Sequence, residues 1–227
     1  MTEPLLRMEE ISGGYGDTLV HRGLSLELAA GQVLGVIGRN GTGKTTLARL
    51  IGGELALAAG RMVLDGRDIS ALPPWERAKA GIAVMPQTEM VFDALTVAEN
   101  LALLGPVTMG KLGERFPHVV ERLGQQAGSM SGGERKILGF VRAMLSPARL
   151  VVLDEPSEGV QAENIARMQD TIAEARTAGL ACILLEQNIS MVEALADIVI
   201  AMDSSGIVYQ AQGAQIDREA MLAAIRI

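Results

Sequence analysis

Apolar positions follow two different rhythms along the chain. Over the first thirty residues Ile11, Leu19, Val20, Leu24, Leu26 and Leu28 stand apart among polar residues and glycines, which predicts short strands and tight turns in an antiparallel arrangement. Gln32 to Ile37 is a compact apolar run that ends in glycines, and Thr45 to Ile51 has helical character, giving strand, glycine loop and helix in that order. Arg61 to Leu64 and Ile82 to Met85 read as further strands, with Leu72-Pro73-Pro74 breaking the chain between them.

Thr96 to Leu104 predicts a helix, whereas Gly105 to Gly128 is rich in glycine and charge and carries only a weak apolar period near Val119 to Leu123. From Ser131 the alternation is plain. A helix runs to about Leu145, a buried strand spans Leu150 to Leu153, a helix passes through Ile165, Met168, Ile172 and Ala175, and a strand covers Ala181 to Leu185. Gly179 stands where a helix C-terminus favours glycine. Asp197 to Met202 and Ile207 to Tyr209 predict two more short strands before a final amphipathic helix. Helices alternating with short, fully apolar strands define an α/β protein whose mainly parallel sheet is covered on both faces. Neither an internal repeat nor a low-complexity linker is visible.

Composition narrows the class. Twenty basic and 27 acidic residues leave 227 residues with a net charge of −7, and the basic ones are scattered singly, so nucleic acid is not an expected partner. A lone thiol, Cys182, permits no internal disulfide, reads as buried and inert, and fits a reducing compartment. The apolar runs, such as Leu180 to Leu185, fall far short of the roughly 20 residues that span a bilayer. Met1 to Glu10 has no secretory pattern, and the expected location is the cytosol.

Gly38-Arg39-Asn40-Gly41-Thr42-Gly43-Lys44-Thr45 has the spacing of a P-loop and lies between an apolar strand and a helix, as that mechanism requires. Glycines let successive N–H groups curl inward, the helix N-terminus adds partial positive charge, Lys44 reaches β and γ oxygens, and Thr45 offers its hydroxyl to Mg2+. Asp154-Glu155 follows Leu150-Val151-Val152-Leu153 at the C-terminal tip of a strand, where open α/β sheets bind ligands. Asp154 is the expected partner of Mg2+. Glu155 is the expected general base or orienting group for the water that attacks the γ-phosphate.

Ser131-Gly132-Gly133-Glu134 precedes a helix and has two readings. Ser and Glu three apart make a capping box. The two glycines also bare a helix N-terminus to an approaching phosphate. One nucleotide reaches both glycine loops most economically in a two-fold dimer whose sites are composite.

The P-loop, Gln87 after an apolar strand, Met130-Ser131-Gly132-Gly133-Glu134 and Leu153-Asp154-Glu155-Pro156, in this order and over nearly the whole chain, resemble the nucleotide-binding subunit of an ABC transporter. Leu72-Pro73-Pro74, Ala80-Gly81-Ile82-Ala83-Val84-Met85-Pro86-Gln87, Ala127-Gly128-Ser129-Met130-Ser131-Gly132-Gly133-Glu134 and Leu185-Glu186-Gln187-Asn188 are similar to ATPases of the branched-chain amino-acid uptake group. Glu158-Gly159-Val160-Gln161 is similar to the urea and short-chain amide branch. The resemblance implies a single nucleotide-binding domain over residues 1–227. It would comprise an antiparallel β portion at about 1–30 and 61–66, a RecA-like core at about 31–88 and 145–227, and a helical subdomain at about 89–144.

Further expectations come from the same resemblance. Tyr15 would stack on adenine, the P-loop with Thr46 would bind ATP, and Ser131, Gly132, Gly133 and Glu134 would hold the γ-phosphate across the dimer. Gln87, with Thr45 and Asp154, would serve Mg2+, and Gln187 would join Glu155 in catalysis. The partners implied are a second copy or a sister ATPase, transmembrane permease subunits, and an external binding protein reached through them, which would place this chain peripherally on the inner face of the plasma membrane. The implied activity is ATP hydrolysis driving amino-acid or small-amide import, against the rival of a nucleotide-gated scaffold with little hydrolysis.

The pattern departs from the wider family at three places. Gln187 replaces a histidine and cannot carry a proton. Gln161 replaces an acid. The tract between Glu99 and Ser129 is shorter than the family's by roughly a dozen residues. His21 and His118 stand apart from every motif and receive no role. Trp75 reads as a loop anchor, and the twelve methionines as core filler.

Overall fold

The computed structural model describes residues 3–88, 90–105, 109–204 and 206–225. A hairpin of β1 (Leu6–Tyr15) and β2 (Thr18–Leu28) is followed by β3 (Val33–Gly38), α1 (Lys44–Gly52), β4 (Ala59–Leu64) and a two-residue strand, β5 (Arg67–Asp68). Helix α2 (Pro74–Lys79) leads to β6 (Ile82–Met85), after which come α3 (Val97–Ala102), α4 (Gly110–Arg115), α5 (Pro117–Glu121) and the longer α6 (Gly132–Leu145). The C-terminal part alternates β7 (Leu150–Asp154), α7 (Ala162–Thr177), β8 (Ala181–Glu186), α8 (Ile189–Leu195), β9 (Ile198–Asp203), β10 (Gly206–Gln212) and α9 (Arg218–Ala224).

Two sheets result. The first is antiparallel in the order β2-β1-β4-β5, and the second runs β10-β9-β3-β8-β7-β6 with every pairing parallel except that of β10 at its edge. The α/β expectation therefore holds. The short strands expected over the first thirty residues do not: β1 and β2 are ten and eleven residues long. Their register shifts three times between Met8 and Gly14, and each shift moves the inward-facing set out of strict alternation, so the sequence reads as broken pieces.

Strand alternation distributes the core. Val33, Ile37, Val151, Leu153, Cys182 and Leu184 pack with Leu138 and Phe140 of α6, Met168 and Ile172 of α7, and Val192 of α8. Leu34, Val36, Leu150, Val152, Ile183 and Leu185 face the other way, onto Leu47 and Ile51 of α1 and onto Leu6, Met8 and Leu28 of the first sheet. Each such side chain contributes roughly 1.5–3 kcal/mol relative to exposure. Methionines 8, 62, 85, 168, 191, 202 and 221 are all buried, and so is Cys182, as expected.

Arg77, not Trp75, anchors α2. The Arg77 side chain is buried and donates to the carbonyls of Leu50 and Ile51 at 2.6 and 2.9 Å, of Leu72 at 2.9 Å and of Ser70 at 3.0 Å. Those first two carbonyls end α1, where a cation is favoured. Trp75, two positions earlier and so on the opposite side of the helix, is 64% exposed. In the faint tract before α6, Phe116 stacks edge-on against Phe140 with centroids 5.8 Å apart, and Val119 is buried beside them. Among the described residues no helix is long and apolar enough to cross a membrane.

Candidate active site

The glycine loop leaves the fully buried β3 at Gly38 and leads into α1 at Lys44. Gly43 has φ +98°, and a Cβ there would lie 2.8 Å from Val20 Cγ1 and 3.1 Å from the His21 ring. Only glycine fits this position. His21 is thus not remote from the motifs, as its place in the sequence suggested: it is buried under the loop, and its Nε2–H donates to the Gly43 carbonyl at 3.0 Å. Burial lowers its pKa, and the bond to Gly43 offsets this in part. Lys44 Nζ donates to the carbonyls of Gly38 and Arg39 at 2.8 and 3.0 Å, and stands 3.2 Å from Glu155 Oε1. Thr42 Oγ1 donates to the Arg39 carbonyl at 2.9 Å.

Asp154 ends β7 in step with Leu150 and Val152 and so shares their side of the sheet, the side of α1. Among the described residues neither of its buried carboxylate oxygens reaches a partner at hydrogen-bonding geometry. Burial pushes its pKa up, the Thr45 hydroxyl beside it pulls down, the Glu155 charge pushes up, and the ammonium groups of Lys44 and Lys136 pull down. Glu155 then takes φ +49°, a left-handed conformation uncommon for a side-chain-bearing residue, and its N–H donates to the Leu185 carbonyl at 2.8 Å. The turn ends the strand's alternation and sets its carboxylate beside the glycine loop.

Two amides flank that carboxylate. Gln187 Nε2 donates to Glu155 Oε1 at 3.0 Å and to Asn40 Oδ1 at 2.7 Å. Gln87 Nε2 donates to Glu155 Oε2 at 2.9 Å and, at a longer 3.4 Å, to Glu158 Oε2. Behind them the buried Glu186 carboxylate accepts from the backbone N–H groups of Ser157 at 2.9 Å and of Gln187 and Asn188 at 3.1 Å each, tying the Gln187 turn to the loop after Glu155.

Tyr15, Val20, Asn40, Gly41, Gly43, Lys44, Thr45, Thr46, Gln87 and Glu155 line one cavity of about 390 Å³. Gly38 and Arg39 reach it through their carbonyls on Lys44. Tyr15 is 45% exposed, with its hydroxyl 3.3 Å from Arg49 Nη1.

Ser131, Gly133 and Glu134 line a different cavity, of about 400 Å³, that shares no residue with the first. A single chain does not bring the two glycine motifs together. Of the two readings of Ser131 to Glu134 the capping box is realised: Glu134 N donates to Ser131 Oγ at 3.3 Å and Ser131 N donates to Glu134 Oε2 at 2.8 Å, while Arg122 pairs with the other Glu134 oxygen. Gly133 is required by crowding, since a Cβ would meet the Gly159 carbonyl oxygen at 2.8 Å. His118 also lines this cavity, which corrects its placement away from the motifs.

Lys136 belongs to none of the sequence motifs. Its signal is a lysine in step with Phe140 and Ala143 on the apolar face of α6, where a cation needs a buried partner.

Comparison with known proteins agrees with this geometry. The ABC transporter family model matches residues 21–158. The high-affinity branched-chain amino acid transport ATP-binding protein BraG of Pseudomonas aeruginosa is 35% identical over 220 residues, covering 93% of this chain and 94% of its own. The lipopolysaccharide export system ATP-binding protein LptB of Haemophilus influenzae is 31% identical, covering 82% and 81%. The crystal structure of a nucleotide-free ATP-binding cassette from an ABC transporter superposes with a TM-score of 0.82 at 25% identity, covering 97% of this chain and 96% of that one. With its P-loop lysine meeting the glutamate that follows β7, and with relatives aligned along most of its length, the chain belongs to the ABC transporter family as an ATP-hydrolysing subunit.

Proposed function

We propose that this chain is the motor subunit of an importer of branched-chain or other hydrophobic amino acids, and that Glu155 activates the water which attacks the γ-phosphate of ATP. The observation that carries the catalytic part is the Glu155 carboxylate, held beside the glycine loop by Lys44, Gln87 and Gln187. A base fixed by donors on both oxygens orients one water and loses little freedom on the way to the transition state. Gln187 can donate but cannot take a proton, so the proton from water goes to Glu155.

The loop amides from Gly41 to Thr46 and the Lys44 ammonium would hold the phosphates, with Tyr15 against the base. Thr45, Gln87 and Asp154 would hold Mg2+, and the buried Asp154 carboxylate, whose oxygens make no hydrogen bond of standard geometry among the described residues, fits a cation. Bound there, Mg2+ would offset the charge on the phosphate oxygens. Because Ser131, Gly133 and Glu134 line a separate cavity, a second cassette facing the first completes each site, as a homodimer or with a sister ATPase. Docked on permease subunits, the chain would lie on the inner face of the membrane.

Relatedness to BraG supports amino-acid import, and relatedness to LptB favours a second reading, the motor of an exporter. Uptake of labelled leucine and of labelled urea by cells lacking this chain, restored with wild type or with Glu155→Gln, separates the readings. The proposal expects leucine uptake to depend on wild type and to fail with the variant. Dependence of urea uptake instead moves the substrate to small amides, and loss of neither points to export.

A further inference from the structure

Lys136 lies on the buried face of α6 with 6% of its side chain exposed, and its Nζ is 3.0 Å from Glu158 Oε2. A buried ammonium is costly unless paired. Glu158 is 58% exposed and has solvent as an alternative, so the lysine dictates where the carboxylate stands. That same Oε2 accepts from Gln87 Nε2, whose other hydrogen goes to Glu155 Oε2. One amide nitrogen is therefore caught between two carboxylates, and only one of them belongs to the reaction.

We propose that Lys136 is a positioning residue for ATP hydrolysis: through Glu158 it holds the Gln87 amide against Glu155 and so fixes the carboxylate's orientation. The inference rests on the proposed role of Glu155 and adds to it a tie from α6, the helix that begins at the Gly132-Gly133 pair. Lys136 also neutralises Glu158, which would otherwise place uncompensated negative charge near Glu155. In keeping with this, the Glu158 carboxyl is held below its ordinary pKa, chiefly by its bond to Lys136. Without the lysine, Glu158 turns to solvent, Gln87 loses its second anchor and Glu155 gains freedom. Nucleotide affinity, set at the glycine loop, stays as it was.

The test is steady-state hydrolysis and nucleotide titration with the purified full chain. Lys136→Met is expected to lower kcat about tenfold while KM and the titrated affinity stay within about twofold. Lys136→Arg, which keeps the charge, should recover to within about threefold of wild type, and Lys136→Met with Glu158→Ala should be no slower than Lys136→Met alone. Unchanged kcat in Lys136→Met overturns the inference, as does an arginine variant no faster than the methionine one, or losses that multiply in the double variant. If Lys136→Met does not fold, Glu158→Ala at its exposed position decides: a similar loss in kcat with KM kept supports the tie, and wild-type kcat overturns it. Glu155→Gln measured alongside separates the two claims. Turnover retained there defeats the role of Glu155, whereas turnover lost there but kept in both Lys136→Met and Glu158→Ala defeats the tie alone.

Discussion

Lys44 Nζ stands 3.2 Å from Glu155 Oε1, and both side chains are almost wholly shielded from solvent. An ammonium has three hydrogens, and the other two go to the carbonyls of Gly38 and Arg39. Under the proposed role of the glycine loop, a triphosphate that takes Lys44 would displace one of the three, and Glu155 would be the partner that then gains a water. On that reading the pair competes with nucleotide. Glu155→Gln removes the competing charge and should bind ATP more tightly than wild type, by about three- to tenfold in a titration; weaker binding would count against the competition.

Lys44→Ala would remove the charge-assisted contacts to phosphate that the proposed function assigns to this side chain. Nucleotide affinity should fall by about 2 kcal/mol or more, read by titration. Affinity like that of wild type would remove the glycine loop from the binding site.

Buried His21 makes stability depend on pH in a direction that can be worked out. Its pKa in the folded protein is below the ordinary 6.5, so between the two values the unfolded chain binds more protons. The stability it contributes is full above 6.5 and is lost as the pH falls through that value towards the folded pKa. His21→Gln can still donate to Gly43 but does not titrate. Urea unfolding at roughly pH 7.5 and 5.5 should show a larger loss for wild type than for this variant, and equal losses would contradict the assignment.

Arg77→Met keeps the apolar stem and strips the donors from four carbonyls. Buried acceptors left unpaired cost about 1–3 kcal/mol each, and with partial relaxation a loss of about 3 kcal/mol is expected from urea unfolding at an unchanged slope. A loss below about 1 kcal/mol would mean that α2 is held by something else.

The parts of this molecule that were readable beforehand are those with one strong local signal. Strands β3, β7 and β8 are buried on both faces, so they read as apolar runs, and the glycine loop sits between such a strand and a helix. Asp154 was placed by following β7 to its end. The hairpin is hard to read because bulges interrupt its alternation. Helices α4 and α5, six and five residues long, hold fewer than two turns and cannot display a period. What stayed invisible was contact at a distance: His21 beneath Gly43, Arg77 on the end of α1, Lys136 on Glu158. In each, a polar residue in an apolar position was the trace, and only the folded chain names its partner.

Phosphate release from the purified Glu155→Gln protein in a single turnover, with nucleotide binding measured on the same sample, tests the central claim most directly. The account predicts bound ATP that stays unhydrolysed over many wild-type turnover times. ATP cleaved at the wild-type rate would show that another group activates the water.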